Sequence, residues 1–226
     1  MGKNKISRFE ENKKLSNVVQ PTREDALRNY ELKGKWGEKF FKNNNPIVLE
    51  LGCGKGEYTV GMAKAFPDKN FIGVDIKGAR FWFGAKEAIH ENLNNVAFLR
   101  TQIELIDCFF AENEVDEIWI TFPDPQIKHK RGKHRLTHPD FLARYKRISK
   151  PDAIMHLKTD SEFLHGYTLG ILQGFGHEIL TAHHDIYGAP EYEPDTHYLR
   201  EIKTYYEELF SAKGKTITYI KFRIKS

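Results

Sequence analysis

The sequence predicts an α/β fold in which a mostly parallel central sheet is covered by helices on both faces. Three observations support this prediction. From residue 46 onward, short runs rich in β-branched and aromatic residues alternate with amphipathic segments, which is typical of βαβ units. Glycines and acids follow several of these runs, as expected where the carboxyl ends of parallel strands form a ligand site. The last two runs break the alternation and predict an antiparallel edge.

Each element has a local signal. The run at 46–51 (PIVLEL) is a strand that ends in glycines, and the helix at 57–66 is stopped by Pro67 and Asp68. The run at 70–75 (NFIGVD) is a strand, and the helix at 77–93 has an apolar side that includes Phe81 and Ala85. Further strands are predicted at 96–100, 115–122, 153–159, 177–184 and 216–224. Further helices are predicted at 104–111, 139–148, 162–172 and 198–210.

The composition predicts a soluble, cytoplasmic protein. The 226 residues carry 35 Lys and Arg against 31 Asp and Glu, and no apolar run approaches the roughly 18 residues of a membrane span. The N-terminal segment is charged throughout, unlike a secretory signal peptide. The two cysteines form no C-x-x-C motif, and no histidine spacing predicts a metal site. No linker divides the chain, so we expect one domain at 31–226 after a basic, irregular and mobile arm at 1–30.

A glycine-rich loop follows the first predicted strand. Its spacing is G-x-G-x-G, with Gly52, Gly54 and Gly56, and a glutamate stands where a dinucleotide-binding fingerprint needs its third glycine. Glu50 lies inside the strand, where a carboxylate is costly to bury unless it meets a cation or hydrogen-bond donors. Asp75 ends the next strand, where a carboxylate can bind both ribose hydroxyls of an adenosine. The pattern favours a ligand with an ammonium and a sulfonium group and no phosphate.

A second candidate loop follows the fourth predicted strand. Asp124 stands between Pro123 and Pro125, and the two prolines stiffen the loop that carries it. A basic block follows at 128–135 (KHKRGKHR), and because it contains no acid it either stays solvated or binds an anion. Its lysines and arginines are Lys128, Lys130, Arg131, Lys133 and Arg135.

These motifs resemble known families. The acid before G-x-G-x-G, together with the acid ending the second strand, is similar to the class I S-adenosylmethionine-dependent methyltransferases, which have a Rossmann-like fold. The segment FPDP-x-x-K with its basic block, the segment 157–160 (LKTD) and the segment 204–207 (TYYE) resemble the bacterial tRNA (guanine-N7-)-methyltransferases. This second match runs from about residue 48 to the end of the sequence.

The resemblance implies transfer of a methyl group from S-adenosyl-L-methionine to N7 of guanine 46 in the variable loop of tRNA. The candidate cofactor contacts are Glu50, Gly52, Gly54, Gly56, Asp75, Gln102 and Asp124. The candidate catalytic residues are Asp124 and Asp160. The candidate tRNA contacts are Lys128, Lys130, Arg131, Lys133, Arg135, Asp160, Thr204, Tyr205, Tyr206 and Glu207.

The chemistry of guanine N7 fits this set of residues. N7 carries an in-plane lone pair and is unprotonated near neutral pH, so it needs no strong general base. Catalysis then depends on positioning and on electrostatic stabilisation as positive charge moves onto the purine. Asp160 and Glu207 are candidates to accept hydrogen bonds from the guanine N1–H and exocyclic amine, which would distinguish guanine from adenine.

The sequence departs from the family at one place and leaves alternatives open. Gln126 and Ile127 stand where the family usually has Trp-Pro, so aromatic stacking is not expected there. The same fold and cofactor would also serve a methyltransferase acting on a small molecule or a protein. A non-catalytic RNA-binding subunit is a further alternative, and an NAD oxidoreductase is disfavoured by the glutamate in the glycine loop. The sequence is equally compatible with a monomer and a homodimer.

Overall fold

An eight-stranded sheet forms the centre of the molecule. The computed structural model describes residues 2–28, 30–188 and 198–225, and Met1 and Asn29 of the predicted arm lie outside that part of the chain. The strands are β1 Val18–Val19, β2 Ile47–Leu51, β3 Asn70–Val74, β4 Val96–Leu99, β5 Val115–Thr121, β6 Ser149–Thr159, β7 Glu178–His183 and β8 Thr218–Arg223. Their order across the sheet is β1-β4-β3-β2-β5-β6-β8-β7.

The sheet is parallel from β1 to β6 and antiparallel at one edge. Every neighbouring pair among the first six strands of that order is parallel. Strand β8 is antiparallel both to β6 and to β7, so the last strand lies between two earlier ones. The predicted mostly parallel sheet with an antiparallel edge is therefore confirmed.

Nine α-helices surround the sheet in the described part of the chain. They are α1 Gly2–Asn12, α2 Arg23–Leu27, α3 Glu57–Ala65, α4 Gly78–His90, α5 Ile106–Phe109, α6 Pro139–Ile148, α7 Glu162–Gly174, α8 Tyr198–Glu201 and α9 Tyr205–Ser211. A π-helix covers Trp36–Phe41, and short 3₁₀ helices cover Ile103–Leu105 and His129–His134. None of the described helices is both long and apolar enough to cross a membrane.

The helices cover both faces of the sheet. Strand β2 is buried along its whole length, and its side chains alternate between two hydrophobic clusters. Leu49 and Leu51 belong to the cluster that includes apolar residues of α5, α6 and α7, whereas Val48 belongs to the cluster with residues of α3 and α4. Because successive side chains of a strand point to opposite faces, this alternation separates two apolar layers. Each fully buried Leu or Val side chain contributes about 1.5–3 kcal/mol to folding.

The N-terminal segment differs from the prediction. Residues 2–12 form helix α1 and not an irregular chain, and Asn12 is fully buried, with its side-chain amide donating to the Gly78 carbonyl (2.9 Å). The guanidinium of Arg8 lies 4.4 Å from the centre of the Phe83 ring on α4. The segment has few apolar residues, so its helix depends on tertiary contacts that no local pattern encodes. The domain boundary at residue 31 stays a prediction.

The predicted C-terminal helix is divided in two. Helix α8 ends at Glu201, and α9 begins after Thr204, whose hydroxyl accepts a hydrogen bond from the Glu207 amide (3.1 Å). Thr followed three residues later by Glu is a helix N-terminus signal, so the break could be read from the sequence. The break also brings the side chains of α9 toward the carboxyl ends of the parallel strands.

Candidate active site

The glycine loop joins β2 to α3 in a conformation that its glycines permit. Gly52, Gly54 and Gly56 all have left-handed backbone angles, with φ of 80°, 57° and 82°. A Cβ atom on Gly56 would lie 2.5 Å from Cε1 of Phe98, so that position excludes any side chain. A Cβ atom on Gly54 would meet nothing within 4 Å, so the loop backbone there faces open space. A ligand can therefore approach the backbone of the loop closely.

Glu50 lies buried beneath this loop and is held by two threonines. Its carboxylate accepts hydrogen bonds from the Thr59 amide (2.8 Å), the Thr59 hydroxyl and the Thr121 hydroxyl. Burial raises the pKa of Glu50 to about 7, while these hydrogen bonds oppose the rise. All three of these hydrogen-bond donors are neutral groups. A cation bound near Glu50 would add an electrostatic stabilisation of the charged carboxylate that they do not supply.

Asp75 follows β3 and points its carboxylate at the same loop. One oxygen accepts a hydrogen bond from the Gly54 amide (3.1 Å) and the other from the Lys77 amide (2.7 Å). These bonds join the glycine loop to the beginning of α4 and fix the orientation of the carboxylate. Glu50 and Asp75 thus hold the two sides of the glycine loop.

An open cleft of about 340 Å³ lies at the carboxyl ends of the parallel strands. Its lining includes Gly52 and Asp75, together with Gln102 from the segment after β4. Gln126 and Arg131, from the loop after β5 and the basic block, line the same cleft. The structure therefore brings together residues from five separate segments at the edge where the fold predicts a ligand site.

The loop after β5 is strained and internally bonded. Phe122 and Gln126 have left-handed backbone angles, with φ of 47° and 46°, which non-glycine residues adopt at a cost. The exposed Asp124 accepts a hydrogen bond from the Gln126 amide (3.0 Å). The Phe122 amide donates to the Lys158 carbonyl of β6 (2.8 Å), which ties the start of the loop to the neighbouring strand.

The basic block divides into an exposed part and one buried residue. The exposed part comprises Lys128, Lys130, Arg131 and Lys133. Arg135 is only 8% exposed, and its guanidinium donates two hydrogen bonds to the Gln126 carbonyl (3.3 and 3.1 Å). The charge pattern alone could not separate these two groups, because a buried arginine and a solvated one have the same local sequence signal.

Asp160 follows β6 at the same edge of the sheet. One of its carboxylate oxygens accepts a hydrogen bond from Lys215 (2.6 Å), and its side chain is 14% exposed. The N-cap of α7 is Ser161, whose hydroxyl accepts from the Leu164 amide (3.2 Å). Ser161, and not Asp160, is therefore the cap of this helix, and Asp160 is not among the residues that line the cleft.

The segment at 204–207 packs against the glycine loop. The Tyr205 amide donates to the Glu57 carboxylate (3.0 Å), and the Lys55 ammonium lies 4.2 Å from the centre of the Tyr205 ring. Tyr205 and Tyr206 are 49% and 40% exposed. These two aromatic rings are therefore available to a ligand beside the glycine loop, whereas Thr204 is the cap of α9.

Glu207 is fully buried and forms an ion pair with Lys158 that the sequence motifs do not predict. Its carboxylate accepts from Lys158 (2.8 Å) and from the Tyr187 hydroxyl (2.6 Å), and both members of the ion pair are 0% exposed. Lys158 also donates to the Leu199 and Ile202 carbonyls. Burial lowers the pKa of Lys158 to about 8, against the opposing effect of Glu207. A lysine within an apolar strand was the one available signal, because such a charge requires a buried acid.

Comparisons with known proteins agree with this geometry. A protein-family model described as "Putative methyltransferase" matches residues 44–220. A tRNA (guanine-N(7)-)-methyltransferase of Christiangramia forsetii is 67% identical over 224 residues, with 99% of each chain covered. A relative of the same name from Bacteroides fragilis is 48% identical, covering 98% of this chain and 86% of that protein. Another from Lactococcus lactis is 35% identical, covering 83% of each chain.

Solved structures with low sequence identity share the fold. The 16S rRNA methyltransferase KamB aligns with a TM-score of 0.64 and 14% identity, over 84% of this chain and 92% of that one. An antibiotic-related methyltransferase aligns with a TM-score of 0.61 and 17% identity, over 89% and 98% of the two chains. The mostly parallel sheet with one antiparallel edge and flanking helices is that of a class I S-adenosylmethionine-dependent methyltransferase. Within that class, the chain belongs to the tRNA (guanine-N(7)-)-methyltransferase family.

Proposed function

We propose that this protein transfers a methyl group from S-adenosyl-L-methionine to N7 of guanine 46 in the variable loop of tRNA, in the cytoplasm. The observation that carries the proposal is one cleft lined both by Asp75 and by Arg131. The carboxylate suits the hydroxyls of a nucleoside, and the arginine belongs to an exposed group of cations that suits a polyanion. The two substrates of the reaction would therefore meet at one edge of the sheet.

The residues of the glycine loop, of its neighbouring strands and of the cleft fit S-adenosyl-L-methionine. Gly54 offers open backbone, and Glu50 is a buried carboxylate whose three hydrogen-bond donors are neutral. The ammonium and sulfonium groups of this cofactor are cations. Binding of the cofactor near Glu50 would therefore lower the raised pKa of this carboxylate. Asp75 would bind the ribose hydroxyls, and Gln102 would contact the base from the far side of the cleft.

The chain contributes position and charge to the chemical step. S-adenosyl-L-methionine supplies an electrophilic methyl group: the N7 lone pair forms the N–C bond while the C–S bond breaks and its electron pair stays on sulfur. No proton leaves N7, so no strong general base is needed. Asp124 and Asp160 would stabilise the positive charge that develops on the purine. Lys215 engages one Asp160 oxygen, and the other would accept from the guanine N1–H.

The residues at 204–207 would have different roles from one another. Tyr205 and Tyr206 are exposed rings, and flipped or single-stranded bases stack on such rings. Thr204 and Glu207 would act indirectly, since one caps α9 and the other is buried in the ion pair with Lys158. We therefore propose that Glu207 anchors the aromatic pair and makes no contact with guanine.

The exposed basic residues would hold tRNA phosphates. Lys128, Lys130, Arg131 and Lys133 lie on or next to the 3₁₀ helix, and Arg131 lines the cleft. Contacts of this kind position the substrate without reading its sequence. Each neutralised phosphate contributes about −0.7 to −0.9 to the slope of log affinity against log salt concentration.

The decisive experiment is a methylation assay with labelled cofactor and unmodified tRNA transcript, followed by nucleoside analysis. We expect 7-methylguanosine from the wild-type transcript and none from a transcript with adenine at position 46. Label in a different nucleoside, or equal label in both transcripts, would contradict the proposal.

A binding experiment tests the basic surface separately. Replacing Lys130, Arg131 and Lys133 with Ser should flatten the salt slope of tRNA affinity by about 2–3. Replacement of the exposed residues Lys35, Lys39 and Lys213 is the control with the same change in net charge. Equal slopes for the two triple variants would remove the block from the tRNA interface.

A further inference from the structure

Arg135 makes contacts that are unlike those of its neighbours in the basic block. It is 8% exposed, and its guanidinium lies over two adjacent aromatic rings of α7, 4.8 Å from the centre of Phe163 and 4.4 Å from the centre of Tyr167. From this place over the two adjacent rings, Nε and Nη2 both donate to the Gln126 carbonyl, at 3.3 and 3.1 Å. Cation–π contacts of a partly desolvated arginine hold the guanidinium plane in place.

The carbonyl that Arg135 binds belongs to the strained part of the Asp124 loop. Gln126 has a φ of 46°, and a non-glycine residue keeps such an angle only when its surroundings fix it. The amide of Gln126 donates to Asp124 (3.0 Å), so the same residue is bonded on one side to Arg135 and on the other to Asp124. Release of the carbonyl would let the backbone relax and would turn the amide away from Asp124.

We propose that Arg135 is a positioning residue for methyl transfer: it fixes the loop at 123–127 so that Asp124 faces the reacting base. The proposal rests on the function proposed above and assigns Arg135 a role other than phosphate binding. Because Arg135 directly follows the 3₁₀ helix of the basic block, it also links the residues that hold tRNA to the loop that carries Asp124.

The chemistry of arginine makes the proposal testable by a conservative change. Lysine keeps the charge of Arg135 but has neither a planar guanidinium to contact the two rings nor a fork of two N–H donors aimed at one carbonyl. A phosphate contact tolerates this change, because it needs mainly the charge. Positioning of the loop does not tolerate it, because it needs the geometry.

The experiment compares Arg135→Lys with Arg131→Gln in the full chain. We expect Arg135→Lys to lower kcat about 10- to 100-fold, as for a misplacement of about 1 Å, with the salt slope of tRNA affinity unchanged. Arg131→Gln should have the opposite signature, with weaker tRNA binding and a slope flatter by about 0.7–0.9. Arg28→Lys, at an exposed arginine that does not line the cleft, is the control and should leave all parameters at the wild-type level.

Two further variants separate positioning from folding. Phe163 is 44% exposed, so Phe163→Leu removes one of the two rings that Arg135 contacts with little effect on the core. This variant should lower kcat without changing the salt slope of tRNA affinity. Gln126→Gly adopts the left-handed angle freely and should restore part of the kcat lost in Arg135→Lys. A wild-type kcat in Arg135→Lys, or a salt slope reduced as in Arg131→Gln, would overturn the proposal. Absence of 7-methylguanosine with the wild-type enzyme would instead contradict the proposed function itself.

Discussion

Removal of the Glu207 carboxylate should destabilise the protein more than most single substitutions. Lys158 has three N–H donors, and they are used by Glu207, the Leu199 carbonyl and the Ile202 carbonyl. In Glu207→Gln, one amide oxygen faces two donors, Lys158 and the Tyr187 hydroxyl, and the amide nitrogen adds a third donor to the cluster. The variant therefore leaves a buried ammonium without its counter-charge.

The magnitude follows from the burial of the pair. Breaking a fully buried ion pair by removing one partner costs about 3–5 kcal/mol. The loss has an upper limit, because Lys158 can release its proton: at pH 7, neutralising a lysine whose ordinary pKa is 10.5 costs about 5 kcal/mol. We expect a loss of about 3–5 kcal/mol at pH 7, which for a protein of this size lowers Tm by about 6–20 °C.

The pH dependence of this loss has a definite sign. Burial lowers the pKa of Lys158 to about 8 in the wild-type protein, and loss of Glu207 would lower it further. In the range between the native pKa and the unfolded value of 10.5, the unfolded chain binds more protons, so stability rises with pH. This rise begins at a lower pH in Glu207→Gln than in the wild type. The difference between the two proteins should therefore be smaller at pH 9 than at pH 6.

Urea unfolding of four proteins measures these effects. They are the wild type, Glu207→Gln, Lys158→Met and the double variant Lys158→Met/Glu207→Leu, each at pH 6 and pH 9. The apolar double variant should recover at least half of the stability lost by the single variants, since it removes both charges together. Losses below about 1 kcal/mol in both single variants, or additive losses in the double variant, would refute the account of a coupled buried pair.

The remaining predictions concern the cofactor side of the site. Because burial raises the pKa of Glu50 to about 7, the stability of the cofactor-free protein should fall by about 3 kcal/mol as pH rises from about 4.5 to 7, and Glu50→Gln should abolish that fall in urea unfolding. Gly56→Ala should lower the urea midpoint far more than Gly54→Ala, because only the former brings a Cβ atom to 2.5 Å from the Phe98 ring; equal midpoints would contradict this. Asp160→Ala should lose most turnover while the cofactor Kd measured by titration stays at the wild-type value, and unchanged turnover would remove Asp160 from the reaction.

The carboxyl edge of the sheet could be predicted because its signals are local. A glycine loop, an acid at the end of a strand and a proline-framed acid each follow an apolar run, and parallel strands bring such positions to one edge. Glu50 and Asp75 lie on either side of the glycine loop, and Gln102 lines the same cleft as Asp75, as the order of the motifs suggested. The antiparallel edge was predictable for a similar reason, since the alternation of strand and helix stops there.

The roles of Arg135 and Glu207 could not be predicted, because burial is decided by distant parts of the chain. Arg135 belongs by sequence to a solvated block, and the rings that it contacts come from α7. Glu207 belongs to a polar segment, and its partner Lys158 lies on β6, 49 residues earlier. Helix α1 is similar: few apolar residues mark it, and its contacts are with α4. Hydrophobic periodicity indicates the type of a local element, but it does not indicate which distant residues pack against that element.

The position of β8 between β6 and β7 has a consequence for synthesis of the protein on the ribosome. Among the described residues, strand β7 pairs only with β8, so it lacks this strand partner until residues 218–223 have been translated. Until then the nascent chain exposes an open edge on β6, where another chain could add a strand. Premature termination a few codons before β8 would therefore yield an aggregation-prone product, although the glycine loop and the residues proposed to bind the cofactor would already have been made.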